Sequence, residues 1–299
     1  MRKYCPVTRP VESQMVVEGV SKSYEAGLRP RVVLDGCSFR LEKGKLTVLI
    51  GPSGCGKSTL INIMAGYEKA DAGTVALEGQ PVGEPAADRL VVFQETALFP
   101  WMTTFENIAY GPRVQRNMSH DQVDARALDL LDRVGLRDFR DKYPMQLSGG
   151  MQRRAELARA LINQPKVMFL DEPFRGLDAM TRELMQEYYL KLYEGSQQTT
   201  LFVTSEIEEA LLIADTLLIM TNRPGRVAKT MDIALPRPRE LKVLTSQAYL
   251  RYKEEALEML HEEAVKAFAG GSKAASDFLE AYADRDQADD GKHEAKPSA

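Results

Sequence analysis

Short apolar segments alternate with helical segments along most of the chain. Apolar and β-branched runs bounded by Gly, Pro and Asp predict strands, and these runs lie at 15–18, 32–41, 46–50, 74–78, 90–93, 167–170, 200–204 and 216–220. Between about 96 and 164 the spacing is helical, and Ser119 and Gln122 predict a capping box. Further helices are predicted at 179–194 and 206–214. This alternation predicts a mostly parallel sheet covered on both faces.

The pattern changes after residue 236. A charged helix is predicted over 246–268, with an apolar face formed by Tyr249, Tyr252, Ala256, Met259, Leu260 and Phe268. This helix has three possible roles: packing on the core, extending a dimer interface, or binding a regulator. Packing on the core is the prediction, because most helix stability comes from burying one face. We also predict a short helix near 274–283, a flexible arm over 1–13 and a disordered polar tail over 284–299.

Composition and charge exclude several classes of protein. The 299 residues are 44% hydrophobic and 27% charged, which is typical of a globular chain with a sizeable core. The formal net charge of −4 provides no overall basic field, so we expect no nucleic-acid partner. We expect neither a membrane helix nor a secretory signal, because the apolar runs are too short. Cys5, Cys37 and Cys55 form no disulfide or metal pattern and fit a reducing cytoplasm.

The strongest motif is the glycine-rich segment GPSGCGKST between a predicted strand and a predicted helix. It has the spacing G-x-x-x-x-G-K-S/T, in which glycines let backbone N–H groups surround a phosphate chain. Lys57 can reach the β- and γ-phosphates, and the Ser58 hydroxyl can bind Mg²⁺. A plain glycine turn is the alternative. We predict a nucleoside triphosphate site formed by Gly51, Pro52, Ser53, Gly54, Cys55, Gly56, Lys57, Ser58 and Thr59. Cys55 is interpreted as a small loop residue rather than a redox switch.

Two carboxylates follow the apolar run at 167–170. Such a strand delivers its last residues to the edge of the sheet where ligands bind. Asp171 is therefore a candidate for the Mg²⁺ shell, and Glu172 for a general base that polarises water. A strand that simply ends in solvated acids is the alternative. Upstream, Ser148 precedes two glycines and an Arg-rich helix, so it predicts an N-cap and an anion site.

Together these motifs resemble those of the ABC transporter ATPase subunits. The segment LSGGMQRR at 147–154 resembles the signature motif, Gln94 the Q-loop, and Leu177–Asp178 the D-loop. Tyr24 resembles the aromatic residue that stacks on adenine, although a core position in a β-hairpin is the alternative. The resemblance covers about residues 14–236 and rests on the order and spacing of six motifs.

The resemblance implies an α/β fold of the P-loop NTPase type, a RecA-like core with a β-subdomain and a helical subdomain inserted at about 96–164. The ATPase domain is expected over 14–236 and a C-terminal helical extension over 237–283. ATP and Mg²⁺ are implied as cofactors, bound in a head-to-tail dimer with a second copy or a paralogous subunit. Each ATP would lie between the phosphate loop of one subunit and the signature motif of the other. Besides the phosphate loop, the implied nucleotide contacts are Tyr24, Gln94, Ser148, Gly149, Gly150 and Asp178. The implied metal ligands are Ser58, Gln94 and Asp171. The residues implied in catalysis are Lys57, Gln94, Glu172 and Ser205.

A narrower resemblance concerns importers of nitrate, sulfonate, taurine and related small molecules. It rests on FQETALFPW at 93–101, on DEPF at 171–174 and on RPGR at 223–226. It implies a peripheral subunit on the cytoplasmic face of the inner membrane, working with a membrane permease and, through it, a substrate-binding protein. Phe99 and Trp101 suit an apolar groove for a permease helix. Packing inside the helical subdomain is the alternative.

The sequence departs from the family pattern at two positions. Ser205 stands where the family has a histidine that contacts the γ-phosphate, and Arg175–Gly176 replaces small residues before the D-loop. A serine hydroxyl can still donate to a phosphate oxygen, but loss of a preorganised donor costs about 10²–10³ in rate. We therefore expect normal Mg-ATP binding and slower hydrolysis. Two alternatives are that serine is tolerated here without loss and that a histidine-bearing paralogue supplies the second site. Two alternative functions are considered. The chain is a regulatory cassette that only binds ATP, or it is a non-transport ABC ATPase.

Overall fold

The computed structural model describes residues 12–26, 29–116 and 118–269, and the predictions for 1–11 and 270–299 lie outside these ranges. The strands are β1 (Ser13–Ala26), β2 (Arg29–Glu42), β3 (Leu46–Ile50), β4 (Ala72–Leu77), β5 (Gln80–Pro81), β6 (Arg89–Val92), β7 (Val167–Asp171), β8 (Thr200–Thr204), β9 (Thr216–Met220) and β10 (Val227–Asp232). The helices are α1 (Lys57–Ala65), α2 (Thr104–Gln115), α3 (His120–Arg133), α4 (Gly149–Leu161), α5 (Ala179–Ser196), α6 (Ile207–Ile213) and α7 (Gln247–Ala269). Short 3-10 turns lie at Arg137–Phe139, Pro144–Gln146 and Leu241–Thr245.

The main sheet has the strand order β10-β9-β3-β8-β7-β6. β9, β3, β8, β7 and β6 run parallel, and β10 pairs antiparallel with β9. Successive residues of β3 point to opposite faces: Val48 and Ile50 enter one hydrophobic cluster and Leu49 the other. The predicted mostly parallel sheet, covered on both faces, is therefore confirmed. β10 was not predicted, because it is an edge strand in which exposed and less exposed residues alternate and only Met231 is buried.

A second, antiparallel sheet has the order β2-β1-β4-β5. The runs predicted at 15–18 and 32–41 are parts of its two long strands, β1 and β2. Met15 and Leu41 from this sheet pack with Leu60 and Met64 of α1 in one hydrophobic cluster. Helix α1 is therefore enclosed between the two sheets, and Tyr24 of β1 and Arg31 of β2 line one cleft with the phosphate-loop end of α1.

Helices α2, α3 and α4 pack around their own hydrophobic cluster, which includes Ile108, Leu131 and Ala158. The predicted capping box is present at the start of α3, where the Ser119 hydroxyl accepts a hydrogen bond from the Gln122 N–H at 3.3 Å. Ser148 caps α4 as predicted, because its hydroxyl accepts from the Met151 N–H at 3.3 Å. These helices lie between β6 and β7 in the chain and form the predicted helical subdomain.

The C-terminal helix α7 packs on the main core. Tyr249 and Ala256 are buried in the cluster that covers one face of the main sheet, and Tyr252, Met259 and Leu260 pack against it. Of the three roles considered for this helix, packing on the core is the one that these contacts support. Within the described ranges, no helix has the length and apolar character to cross a membrane.

Candidate nucleotide site

The glycine-rich segment forms a loop between β3 and α1. Gly54 and Gly56 have φ angles of 76° and 110°, which side-chain-bearing residues rarely adopt. A Cβ on Gly56 would also lie 2.7 Å from Leu34 Cδ2. Helix α1 begins immediately after Gly56, so its free N–H groups and the positive end of its dipole face the loop. The local geometry is suited to an anion.

Lys57 lies within this loop and is 7% exposed. Its Nζ donates hydrogen bonds to the carbonyl oxygens of Gly51 at 2.8 Å and Pro52 at 3.2 Å. These neutral acceptors hold the ammonium group over the loop. A phosphate oxygen would offer it a charged acceptor, and charge-assisted hydrogen bonds are about twice as strong as neutral ones.

The loop lines a cleft of about 440 Å³, here called the phosphate-loop cleft. Of the residues predicted from the sequence, the cleft brings together Tyr24, Ser53, Gly54, Gly56, Lys57, Ser58, Thr59, Gln94 and Glu172. It also contains Arg31, Arg175 and Arg223, none of which was assigned a nucleotide contact from the sequence. The three arginines make the cleft more positive than the overall charge of the chain suggests.

Three predicted loop residues lie behind the cleft rather than on its wall. A Cβ on Gly51 would stand 2.9 Å from Met220 Cβ, so this residue packs against β9. The carbonyl of Pro52 holds Lys57. Cys55 is fully buried, and this burial raises the pKa of its thiol. A buried thiol with a raised pKa is unreactive, so Cys55 is a packing residue of the loop.

Tyr24 projects from β1 into the same cleft. Its side chain is 39% exposed, and its hydroxyl donates to Glu68 Oε2 at 2.6 Å. The position is therefore not a core position, which was the alternative considered from the sequence. Hydrogen bonding at one end fixes the ring, and Lys22 Nζ lies over the ring at 5.5 Å from its centroid. The ring lines the cleft, where it can contact a flat ligand group.

Asp171 and Glu172 lie at the end of β7, next to the phosphate loop. Burial raises the pKa of Asp171, and a hydrogen bond from the Ser58 hydroxyl partly opposes this effect. Asp171 and Ser58 both offer oxygen atoms as ligands, which Mg²⁺ prefers. Gln94 lines the phosphate-loop cleft together with Ser58. These residues therefore fit a magnesium ion. Elsewhere in the described ranges, no group of three or more His, Cys, Asp or Glu side chains is placed to hold a metal.

Glu172 has a left-handed backbone conformation, with φ at 44°. Its N–H donates to the Val203 carbonyl at 2.9 Å, and its Oε2 accepts from Arg175 Nη1 at 2.8 Å. A left-handed conformation at a residue other than glycine costs about 1–3 kcal/mol and is often found at functional sites. The hydrogen bond to β8 maintains this conformation, which turns the carboxylate into the cleft.

Gln94 is anchored from α4. Arg153, which is 4% exposed, donates from Nη1 to the Phe93 carbonyl at 2.9 Å and from Nη2 to the Gln94 carbonyl at 2.5 Å. The same guanidinium pairs with Glu156 at 2.6 Å, and Glu156 in turn accepts from the Ala97 N–H at 2.9 Å. The sequence included Arg153 only as part of the signature motif. Its long-range contact with the Gln94 loop has no signal in the local pattern.

Ser205 lies just beyond β8 and lines a smaller cavity of about 200 Å³ beside the cleft. Glu172 and Arg175 line both the cavity and the cleft. The two departures from the family pattern, Arg175 and Ser205, are therefore neighbours in space on either side of Glu172. A catalytic contribution of Ser205 stays a prediction.

The signature motif does not face the phosphate-loop cleft of its own chain. Ser148 and Gly150 line a separate groove of about 350 Å³ that also includes Thr181, and a Cβ on Gly149 would lie 3.8 Å from Leu177 Cδ2. Asp178 caps α5 by accepting from the Thr181 N–H at 3.0 Å. One chain therefore presents two separate surfaces, as expected for a site shared between two subunits.

Comparison with known proteins agrees with this geometry. The sequence model of the ABC transporter family matches residues 34–175. The bicarbonate transport ATP-binding protein CmpD of Synechococcus elongatus is 40% identical over 250 residues, which cover 83% of this chain and 90% of the relative. The taurine import ATP-binding protein TauB of Ruegeria pomeroyi is 41% identical over 257 residues, which cover 83% and 94%.

A solved structure also resembles the chain. It is the dimeric post-hydrolysis state of the ATP-binding cassette MJ0796 bound to ADP and Pi, with 28% sequence identity and a TM-score of 0.64, and the match covers 74% of this chain and all of that one. The sequence similarity, the fold and the phosphate loop all indicate the same protein family. The chain belongs to the ABC transporter ATP-binding proteins, which hydrolyse ATP to drive transport.

Proposed function

We propose that this chain is the ATPase subunit of an importer, and that it hydrolyses Mg-ATP between two subunits to drive uptake of a small anion or organic molecule. The observation that carries the proposal is that the phosphate loop, Gln94 and Glu172 share one cleft. Ser148 and Gly150 lie on a separate surface of the chain. A head-to-tail dimer would bring the two surfaces together around each nucleotide.

The residues of the cleft have distinct proposed roles. The loop N–H groups and Lys57 bind the phosphates. Ser58, Asp171 and Gln94 would hold Mg²⁺, which would supply positive charge against the phosphates. Glu172 accepts a proton from the attacking water as the water oxygen bonds to the γ-phosphorus. The bond between this phosphorus and the β–γ bridging oxygen then breaks, giving ADP and inorganic phosphate. In the described conformation Glu172 is paired with Arg175, so it must exchange this partner to act as a base.

The permease is proposed to bind at an exposed aromatic patch on the helical subdomain, formed by Phe99, Trp101 and Tyr110. Trp101 is 69% exposed and stacks on Phe99 with ring centroids 5.4 Å apart, and Phe99 meets Tyr110 edge to face at 4.9 Å. Aromatic residues are enriched at interface cores. Binding there would hold the subunit at the cytoplasmic face of the membrane, with the substrate-binding protein reached through the permease.

The substrate class follows from the relatives. Their names specify bicarbonate and taurine, and another relative, 39% identical over 245 residues, is the nitrate import protein NrtD of Synechococcus elongatus. Bicarbonate and nitrate are small anions, and taurine is a small sulfonate. We propose that a small anion or a small organic sulfonate is transported, and that it is selected by the permease and the binding protein rather than by this chain.

The test uses the assembled transporter in lipid vesicles. Glu172→Gln removes the proposed base while keeping the size of the side chain, so we expect ATP to bind and hydrolysis to fall by about 10²-fold or more. Full hydrolysis by this variant would refute the assigned base. Ser205→His addresses the expected slow turnover. If turnover does not rise with histidine at this position, the serine is not limiting.

A further inference from the structure

The C-terminal helix α7 contacts the turn that joins β9 to β10. Glu263 on α7 is 5% exposed, and its Oε2 accepts a hydrogen bond from the Asn222 N–H at 2.8 Å. Its Oε1 accepts from Lys266 Nζ at 2.6 Å. A buried carboxylate therefore holds the backbone of the turn formed by residues 221–226.

The same turn is in direct contact with the phosphate loop. Arg223 donates from both Nε, at 3.0 Å, and Nη2 to the carbonyl oxygen of Gly54. Two residues further on, a Cβ on Gly225 would come within 2.1 Å of the Cys55 carbonyl oxygen. The turn and the loop touch so closely that a shift of one displaces the other.

Arg223 fixes a peptide unit of the loop that follows a glycine. The peptide unit between Gly54 and Cys55 is held at both ends, because its carbonyl accepts from Arg223 and its N–H donates to the Pro52 carbonyl at 3.3 Å. Gly54 has a φ of 76°, and a glycine in such a loop has many other conformations available. Fixing a loop in its binding conformation raises affinity, since less entropy is lost when the ligand binds.

We propose that Arg223 and Glu263 are positioning residues of the nucleotide site, through which helix α7 sets the affinity of the phosphate loop. The chain of contacts runs from the Glu263 carboxylate to the Asn222 N–H, then through the backbone to Arg223 and the Gly54 carbonyl. The guanidinium also adds positive charge to the wall of the cleft. This inference rests on the proposed nucleotide binding at that cleft.

The test measures the dissociation constant of Mg-ADP for the full chain by calorimetry. ADP is used because it is not hydrolysed at this site. Glu263→Ala frees the turn, and we expect the dissociation constant to rise about fivefold or more, as is usual for coupling between sites. Glu262→Ala is the matched control, because Glu262 neighbours Glu263, is 65% exposed, and lies 4.0 Å from Lys266 at the limit of an ion pair. The control is expected to bind as the wild type does.

The decisive measurement is the double variant of Glu263→Ala with Arg223→Ala. If Glu263 acts through Arg223, the double variant will bind Mg-ADP as weakly as Arg223→Ala alone. Additive losses would overturn the proposal, because they would mean that Glu263 affects binding by another route. Unchanged binding by Glu263→Ala would overturn it as well.

Two further measurements keep the test interpretable. If Glu263→Ala does not fold, Glu263→Gln replaces it, because glutamine keeps the volume but loses the charge that binds Lys266 and strengthens the bond from Asn222. The thermal midpoint of each variant without nucleotide separates lost stability from lost affinity. Failure of the wild type to bind Mg-ADP would refute the proposed function itself, whereas normal wild-type binding with unaffected variants would refute only the role of α7.

Discussion

Variants of the buried ion pair between Arg153 and Glu156 should affect stability and catalysis differently. Arg153 makes three hydrogen bonds, to Glu156 and to the carbonyls of Phe93 and Gln94. Burial lowers the pKa of Arg153 and raises that of Glu156, despite the attraction between the two groups. Desolvation therefore offsets much of the attraction, and the pair contributes less stability than its short distance suggests.

Breaking the pair from one side should nevertheless be costly. Arg153→Met leaves a carboxylate that is 3% exposed without its main partner, and two loop carbonyls without their donor. We expect a loss of about 3–5 kcal/mol in the free energy of unfolding, measured by urea denaturation followed by circular dichroism. The double variant Arg153→Met with Glu156→Leu removes both charges. We expect it to recover only the part of this loss that comes from the unpaired carboxylate, because the Ala97 N–H and the two loop carbonyls still lack their partners.

Catalysis should not recover in the double variant. The Phe93 and Gln94 carbonyls still lack the guanidinium, so the loop that carries Gln94 is no longer fixed. We expect the ATPase rate of the assembled transporter to stay at least about tenfold below that of the wild type, since small misplacements of catalytic groups are expensive. A double variant with wild-type activity would refute the reasoning that α4 positions Gln94. A single variant that loses less than about 1 kcal/mol would refute the burial argument.

Three further predictions concern other parts of the chain. Burial acts to raise the pKa of Asp215, but hydrogen bonds from the Leu46 N–H and Arg237 lower it overall. The wild type should therefore exceed Asp215→Asn in free energy of unfolding by about 2 kcal/mol. This difference should be fully present at pH values above the ordinary pKa near 3.9 and should shrink as the pH falls through the lower folded-state pKa. Trp101→Ala should leave the thermal midpoint nearly unchanged and weaken permease binding in pull-down assays by about 2 kcal/mol. The control Leu250→Ala, which removes a 53% exposed apolar side chain of α7, should leave permease binding unchanged. Gly225→Ala should weaken Mg-ADP binding in calorimetry through its clash with Cys55, while Gly83→Ala, where a Cβ meets nothing within 4 Å, should not.

The sequence predicted those parts of the molecule whose structure depends on residues close together in the chain. The phosphate loop, the helix caps at Ser119 and Ser148 and the central strands all depend on side chains a few positions apart, so their pattern is visible along the chain. The packing of α7 was also predictable, because its apolar residues recur on one face. Edge strand β10 lacked such a signal, since only one of its side chains is buried.

The contacts that hold the site were not predictable in the same way. Arg153 meets the Gln94 carbonyl across 59 positions, and Arg223 meets the Gly54 carbonyl across 169. Both arginines donate to main-chain oxygens, which every residue has, so no particular residue type marks the partner. Only the folded arrangement of the sheet and helices brings these groups together. Sequence patterns predicted most of the residues that line the phosphate-loop cleft, but not the arginine contacts that hold its loops in place.

Helix α4 links the two surfaces that the proposed function requires. Its first turn carries the signature motif, and one turn later Arg153 holds the Gln94 carbonyl. Six residues after Arg153, or nearly two turns, Arg159 lies over the ring of Phe99 at 5.3 Å, within the aromatic patch proposed to bind the permease. A helix hydrogen-bonded along its length moves as one body. In the proposed dimer, a displacement of the signature motif by a nucleotide on the opposite subunit would therefore carry Gln94 and the aromatic patch with it, and this would give ATP binding a mechanical route to the proposed permease contact.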